Sequence, residues 1–237
     1  MAVTQAGLEG IVAAESNICF IDGDLGILSY QGFNIHTLAE HATFEEVIYL
    51  LWHGKLPKQA ELDALKSELV RYRPIPQEVV EFLAKVPKGV PMDVLRTAVS
   101  MLGIYDPKAR DNSIEANVEK AARLMAQTAT IVTTFDRLRT GKPLVDGDPR
   151  LGFAANFLYT LTGKKPDDLM EKVFDVALTL HADHELNAST FAARVVAATL
   201  SDIHSAVTAG IGTLKAFAPS FATACSSGPS PVTSTEM

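Results

Sequence analysis

Hydrophobic positions in this chain recur mostly at helical spacing, and only the start reads as strand. Ile18 to Phe20 and Gly26 to Tyr30 are short β-prone runs around Asp22-Gly23-Asp24. An Asp-Gly pair between such runs signals a hairpin, small and marginal unless something packs on it. Thr43 then caps a helix carrying Phe44, Val47, Ile48, Leu50, Leu51 and Trp52, and Thr43 with Glu46 has capping-box spacing. Gly54 and Pro57 end that helix. A second helix is predicted from about Lys58 to Tyr72, with Leu62, Leu65, Leu69 and Val70 on one side. Pro74 and Pro76 break it, and Pro76 suits the first turn of a third helix reaching about Val86. Met92 to Tyr105 reads as a fourth, closed by Asp106-Pro107.

A long helix is predicted from about Ser113 to Thr140. Its middle, Ala121 to Val132, is rich in small and apolar residues, so more than one face should be buried. Phe153 to Thr162 follows, closed by Gly163. Pro166-Asp167-Asp168 opens a helix expected to run through Leu180 into the segment His181-Ala182-Asp183-His184. Phe191 to Ile203 and Ser205 to Phe217 are helical and Ala-rich, and small residues of this kind let helix backbones approach closely. From Ala216 the composition turns to Ser, Pro and Thr, which rarely packs; a mobile tail is expected after about Ser220.

Composition narrows the class. The 237 residues suffice for one large domain or two small ones, and 47% hydrophobic with 21% charged is an ordinary globular balance. A net charge of −7 argues against a dedicated nucleic-acid binder. No run of about 18 apolar residues exists, so no membrane span is expected. Met1 to Glu9 lacks the layout of a signal peptide or presequence, which leaves the cytoplasm as the default. Cys19 and Cys225 fit no metal or disulfide pattern and suit a reducing compartment.

The chemistry concentrates in His181-Ala182-Asp183-His184-Glu185-Leu186-Asn187. On a helix, His181 and His184 would be neighbours on one face, with Asn187 one turn further. A neutral imidazole donates one hydrogen bond and a charged one two, which suits an anionic keto-acid. Two other readings stand beside it. A His-x-x-His pair could hold a metal, although no third ligand is visible. The cluster could equally be a structural network in which each imidazole is satisfied by a backbone carbonyl. Asp183 and Glu185 would then cap or face solvent. His36, His41, His53 and His204 are scattered and are expected at the surface. Arg96, Arg137, Arg139 and Arg194 are expected in surface ion pairs. Gly23, Gly26 and Gly32 form no phosphate-binding loop.

Several blocks, in order, carry a family resemblance. They are Gly7-Leu8-Glu9-Gly10-Ile11-Val12-Ala13, Tyr30-Gln31-Gly32-Phe33, the run from Phe44 to Pro57, Pro91 to Thr97 and Ala154 to Tyr159. The most specific is His181 to Thr190, and Ser201 to Lys215 continues it. Over roughly residues 7 to 215 the chain resembles bacterial-type citrate synthases, and methylcitrate synthases share the blocks.

The resemblance implies an all-α fold with a small N-terminal β-hairpin, in which residues 1–215 form the N-terminal part of the large, dimerisation domain and residues 216–237 lie outside the family pattern. It implies oxaloacetate and acetyl-CoA as substrates, the latter not a cofactor, with propionyl-CoA as the alternative donor. No metal, nucleic-acid or membrane partner is implied. His184 matches the histidine that contacts oxaloacetate; His181 and Asn187 match positions that line or support the same pocket. A homodimer, or association with a full-length subunit, is the expected assembly.

The pattern departs after Lys215. The family continues into a Gly-Pro-Leu-His-Gly-Gly-Ala-Asn-like block, whereas this chain reads Ala216-Phe217-Ala218-Pro219. The expectation is a chain lacking the small domain, the enolate-stabilising histidine, the aspartate base and the carboxylate-binding arginines. Proton removal from a thioester methyl needs a placed base and a donor for the enolate oxygen. Loss of one such donor costs about 10²–10³ in rate. Little or no turnover is therefore expected from the chain alone, and a non-catalytic helical dimerisation module is the competing class.

Overall fold

The computed structural model describes residues 15–215. In order, its elements are β1 (Cys19–Asp22), β2 (Ile27–Tyr30), β3 (Phe33–Asn34), α1 (Ile35–His41), α2 (Phe44–His53), α3 (Gln59–Arg71) and α4 (Gln77–Lys85). Then follow α5 (Pro91–Tyr105), α6 (Ile114–Arg139), α7 (Phe153–Thr162), α8 (Asp168–Leu180), α9 (Ala188–Ala198) and α10 (Ile203–Leu214). The chain is mostly helical with one small sheet, as the sequence pattern predicts. The Gly7–Ala13 block, Cys225 and the expected tail lie outside the described residues.

Two compact units form, each from two separated stretches. One joins the residues up to Arg71 to Asp146–Asn187; the other joins Tyr72–Val145 to the residues from Ala188 onward.

In the first unit the predicted hairpin gains a third antiparallel strand, in the order β1-β2-β3, with Cys19 opposite Tyr30. These two face inward with Ile35, Leu38, Ala42, Val47 and Leu50, and Ala182 packs against the same cluster. That burial supplies what an isolated hairpin lacks. Helix α1 escapes the sequence pattern because it is short; the Asn34 side chain accepts the His36 N–H and starts it. Helix α2 has the predicted capping box: Glu46 Oε2 accepts the Thr43 N–H at 2.7 Å, and Thr43 Oγ1 accepts the Glu46 N–H at 3.4 Å. Gly54 ends it at φ 70°, a left-handed cap that favours glycine.

Helices α2, α7 and α8 exchange caps. Gly152, before α7, has no side chain to offer, and Glu45 of α2 accepts the Phe153 N–H at 2.9 Å. Asp175 of α8 accepts the Phe44 N–H at 3.0 Å. Both carboxylates are buried. Burial pushes the Asp175 carboxyl above its ordinary range against the bond from Phe44, and the Glu45 charge adds to the rise.

In the second unit α4, α5 and α6 share a core of Val79, Leu83, Val94, Ala98, Val99, Leu102, Leu124, Ile131 and Phe135, with Ile203, Val207 and Ile211 of α10 packed against it. Helix α6 buries Ile131, Thr133, Phe135 and Arg137, every second residue, so opposite faces are covered as its composition predicts. Small residues bring helices close: a Cβ at Gly103 would lie 3.1 Å from His204 Cβ, and one at Gly210 would lie 3.4 Å from the Ser189 carbonyl.

Two expectations fail here. His204 is 2% exposed rather than on the surface, because α10 lies on α5 at Gly103. Its ring nitrogens sit 3.4 Å from Asp106 Oδ2 and 3.5 Å from Asp202 Oδ1. Arg137 is buried rather than at the surface, and its Nε donates to the Pro143 carbonyl. Arg96 and Arg139 do pair at the surface, with Asp93 and Asp136. The turn between α5 and α6 is tied to α6 by cations. Arg123 bridges Asp106 and Glu119 at 2.8 and 2.7 Å, and Lys120 Nζ donates to the carbonyls of Asp111 and Ala109 at 2.5 and 3.3 Å.

Candidate functional site

The His-Ala-Asp-His segment is not helical. Helix α8 stops at Leu180 and α9 starts at Ala188, so residues 181–187 form a loop in the first unit and the shared helical face expected for His181, His184 and Asn187 does not exist. The stop has a visible cause. The last carbonyls of a helix lack partners within it. At the end of α8 the Tyr30 hydroxyl, on a fully buried side chain, lies 3.1 Å from the Thr179 carbonyl and 3.0 Å from that of Asp183, and accepts the Asp183 N–H at 3.3 Å. One hydroxyl proton serves one of these carbonyls at a time.

The loop is then shaped by its own carboxylates. Asp183 Oδ1 accepts the Glu185 N–H at 2.8 Å. Glu185 has φ 68°, unusual for a residue with a side chain, and its Oε1 accepts the Ile21 N–H of β1 at 2.9 Å. Cys19 lies opposite Tyr30; burial and the neighbouring Asp183 carboxylate push its thiol up to about 12, which leaves it unreactive.

His181 and His184 are brought to the same exposed loop but do different things. His181 Nδ1 lies 2.7 Å from the Ala177 carbonyl. A carbonyl only accepts, so the proton sits on Nδ1. The network reading therefore describes this imidazole. His184 Nε2 lies 3.1 Å from Asn187 Nδ2. An amide nitrogen only donates, so the neutral His184 ring carries its proton on Nδ1. His184 thus presents an N–H on an exposed side chain, oriented by Asn187. That arrangement can donate to a carboxylate or keto oxygen. The sequence reading missed Tyr30 as a contributor; strand alternation places it inward, but nothing local names a partner about 150 residues away.

Among the described residues no group of three or more His, Cys, Asp or Glu could hold a metal ion, and no helix is long and apolar enough to cross a membrane. Cavities among the described residues lie elsewhere. One of about 400 Å³ borders Glu45, Asp168, Glu171 and Asp175, the carboxylates around the exchanged caps. One of about 220 Å³, apolar, lies between α5 and α6. Neither is lined by His181, His184 or Asn187.

Comparison with known proteins places the chain in a family. The chain is similar to the citrate synthase of Haloferax volcanii, 47% identical over 215 residues, covering 89% of this chain and 57% of that protein. It is also similar to a 2-methylcitrate synthase of Mycobacterium tuberculosis, 42% identical, covering 89% of this chain and 53% of the relative. Among solved structures, citrate synthase from Pyrobaculum aerophilum superposes with a TM-score of 0.84 at 40% identity, over 88% of this chain and 54% of that one. The Thermoplasma acidophilum citrate synthase, in ternary complex with carboxymethyl coenzyme A and oxaloacetate, gives 0.83 at 28% identity, over 88% and 55%. The chain spans about half the length of the curated relatives it matches. A family model described as the citrate synthase C-terminal domain matches residues 7–221, and the chain belongs to the citrate synthase family.

Proposed function

We propose that this chain supplies the oxaloacetate-facing part of a citrate synthase-type site, in which His184 donates to the keto-acid and Asn187 and His181 support it. The reaction served is the joining of acetyl-CoA to oxaloacetate to give citrate, with propionyl-CoA and 2-methylcitrate as the alternative pair. The observation that carries the reading is the exposed His184 N–H, its ring fixed by the Asn187 amide at 3.1 Å. The ligand-bound Thermoplasma relative supports oxaloacetate as the keto-acid.

Acyl transfer also needs a base for the thioester methyl. The carboxylates flanking His184 are engaged otherwise: Asp183 accepts from the Glu185 backbone and Glu185 from that of Ile21. We therefore expect binding without turnover from these 237 residues. Calorimetric titration of oxaloacetate into the purified chain should give weak binding that His184→Ala abolishes, and a thiol-release assay with acetyl-CoA should stay at background. Binding unaffected by His184→Ala defeats the assignment of His184. Citrate formation defeats the expectation of no turnover.

One feature favours a second reading, the self-associating helical module. Helix α8 leaves an apolar stripe open: it buries Asp175 and Thr179 while Leu169 is 73% and Val173 61% exposed, with Leu180 continuing the same stripe. Exposed apolar stripes of this kind mark interaction surfaces. Light scattering should find a dimer that Val173→Glu dissociates, and a monomer at high concentration rules the module out.

A further inference from the structure

We infer that the N-terminal hairpin β1–β2 is a positioning platform for the His184 loop, with Tyr30 and Glu185 as its positioning residues. The inference rests on the reading of this loop as the keto-acid site. Three contacts join hairpin and loop independently. The first is the Tyr30 hydroxyl, which occupies the carbonyl end of α8 and accepts the Asp183 N–H at 3.3 Å. The second is Glu185, whose carboxylate reaches the Ile21 N–H of β1 at 2.9 Å. The third is apolar: Ala182 packs against the cluster of Cys19 and Tyr30.

Together these fix the residues on both sides of His184. Ala182 and Asp183 are held from below by β1 and β2, and Glu185 is held at φ 68° by its own side chain. A left-handed conformation at a residue with a Cβ persists only where its surroundings over-determine it. Free of the Ile21 contact, the loop loses its tie to β1 at residue 185 and His184 moves with it, whatever φ that residue keeps. The bond to Asn187 restrains the ring within the loop, whereas the hairpin restrains the loop against the unit. Tyr30 is fully buried and Glu185 Oε1 is turned to the Ile21 N–H, so both act through the backbone on either side of His184.

Three variants of the full 237-residue chain test this: Tyr30→Phe, Glu185→Asn and Glu185→Gln. Asparagine tolerates positive φ but its shorter side chain withdraws the acceptor, and glutamine keeps an oxygen at the same reach. Hydrogen–deuterium exchange of amides 182–187 should rise about fivefold to tenfold in Tyr30→Phe and Glu185→Asn, the scale of one lost hydrogen bond, and return to the wild-type rate in Glu185→Gln. His184 ring resonances should shift in the first two variants while those of His53 on α2 hold still. Oxaloacetate affinity should fall by a similar factor with the helical signal unchanged. Glu185 is exposed, so Glu185→Asn remains readable even if Tyr30→Phe misfolds. Unchanged exchange in both Tyr30→Phe and Glu185→Asn overturns the platform. If exchange responds but the wild-type chain binds no oxaloacetate, the platform stands and the keto-acid reading falls.

Discussion

Replacing Lys120 by methionine tests whether a buried cation stabilises this fold. Lys120 is 0% exposed, and its ammonium donates to the carbonyls of Asp111 and Ala109 in the turn between α5 and α6. Methionine keeps much of the side-chain volume, so the cavity contribution is small. A hydrogen bond to a charged group contributes about 1.5–3 kcal/mol. Against that stands the desolvation of the ammonium, several kcal/mol per buried ion. Asp111 is exposed and Ala109 half-buried, so water can replace part of what the carbonyls lose. The loss on substitution should therefore be about 2 kcal/mol, short of the ~3–5 kcal/mol for breaking a fully buried pair. Urea unfolding of both chains, followed by far-UV circular dichroism, measures the difference. Exchange of amides 106–113 should quicken in the variant. A Lys120→Met chain within about 0.5 kcal/mol of wild type, or more stable, would mean desolvation outweighs the two hydrogen bonds, and the reasoning fails.

Further outcomes follow from other contacts. Asp175→Asn keeps an oxygen for the Phe44 N–H and removes a carboxyl whose folded pKa burial raises above the ordinary carboxylate range. A raised carboxyl stabilises the fold below its unfolded pKa and loses that contribution as pH rises through the folded value. Asp175→Asn should therefore gain relative to wild type on going from pH 4 to pH 7 in urea unfolding; a relative loss over that interval contradicts the sign. Thr43→Ala removes one half of the capping box and should cost about 1 kcal/mol in the same assay. Leu83→Ala, at a fully buried position of the second unit, should cost about 2–5 kcal/mol, and a smaller loss would mean α4 collapses onto the cavity. Gly103→Ala should cost about 1–3 kcal/mol by pressing α10 off α5 at His204, and an unchanged midpoint would show that α10 gives way freely.

Much of the helical order is legible because it is written locally. Thr43 with Glu46, Ser113, Gly54 and Gly163 mark helix ends from within a few residues, and the structure uses each as a cap or left-handed terminator. What escapes is set by distant partners. Helix α1 has only Ile35 and Leu38 buried, too few to make a period. The end of α8 is fixed by a tyrosine about 150 residues earlier, so a continuous helix through His184 is the natural local reading and the wrong one. His204 looks like a surface residue until α10 meets Gly103. In the candidate site, the polar cluster flags His184 and Asn187. The proton positions that separate His184 from His181 need the Asn187 amide and the Ala177 carbonyl in place.

Tyr30 and the backbone it serves at Asp183 are 153 residues apart. Ribosomes add about 5–20 residues per second, so on a nascent chain the tyrosine emerges roughly 8–30 seconds before its partner. For that interval the apolar cluster of residues 19–50 can already close, but the Tyr30 hydroxyl and the Ile21 N–H lack their loop partners, and the whole of the second unit's first stretch is made in between. Synthesis speed through residues 72–145 thus sets how long the hairpin waits for its loop, and slow translation or a pause there should delay the ordering of residues 181–187.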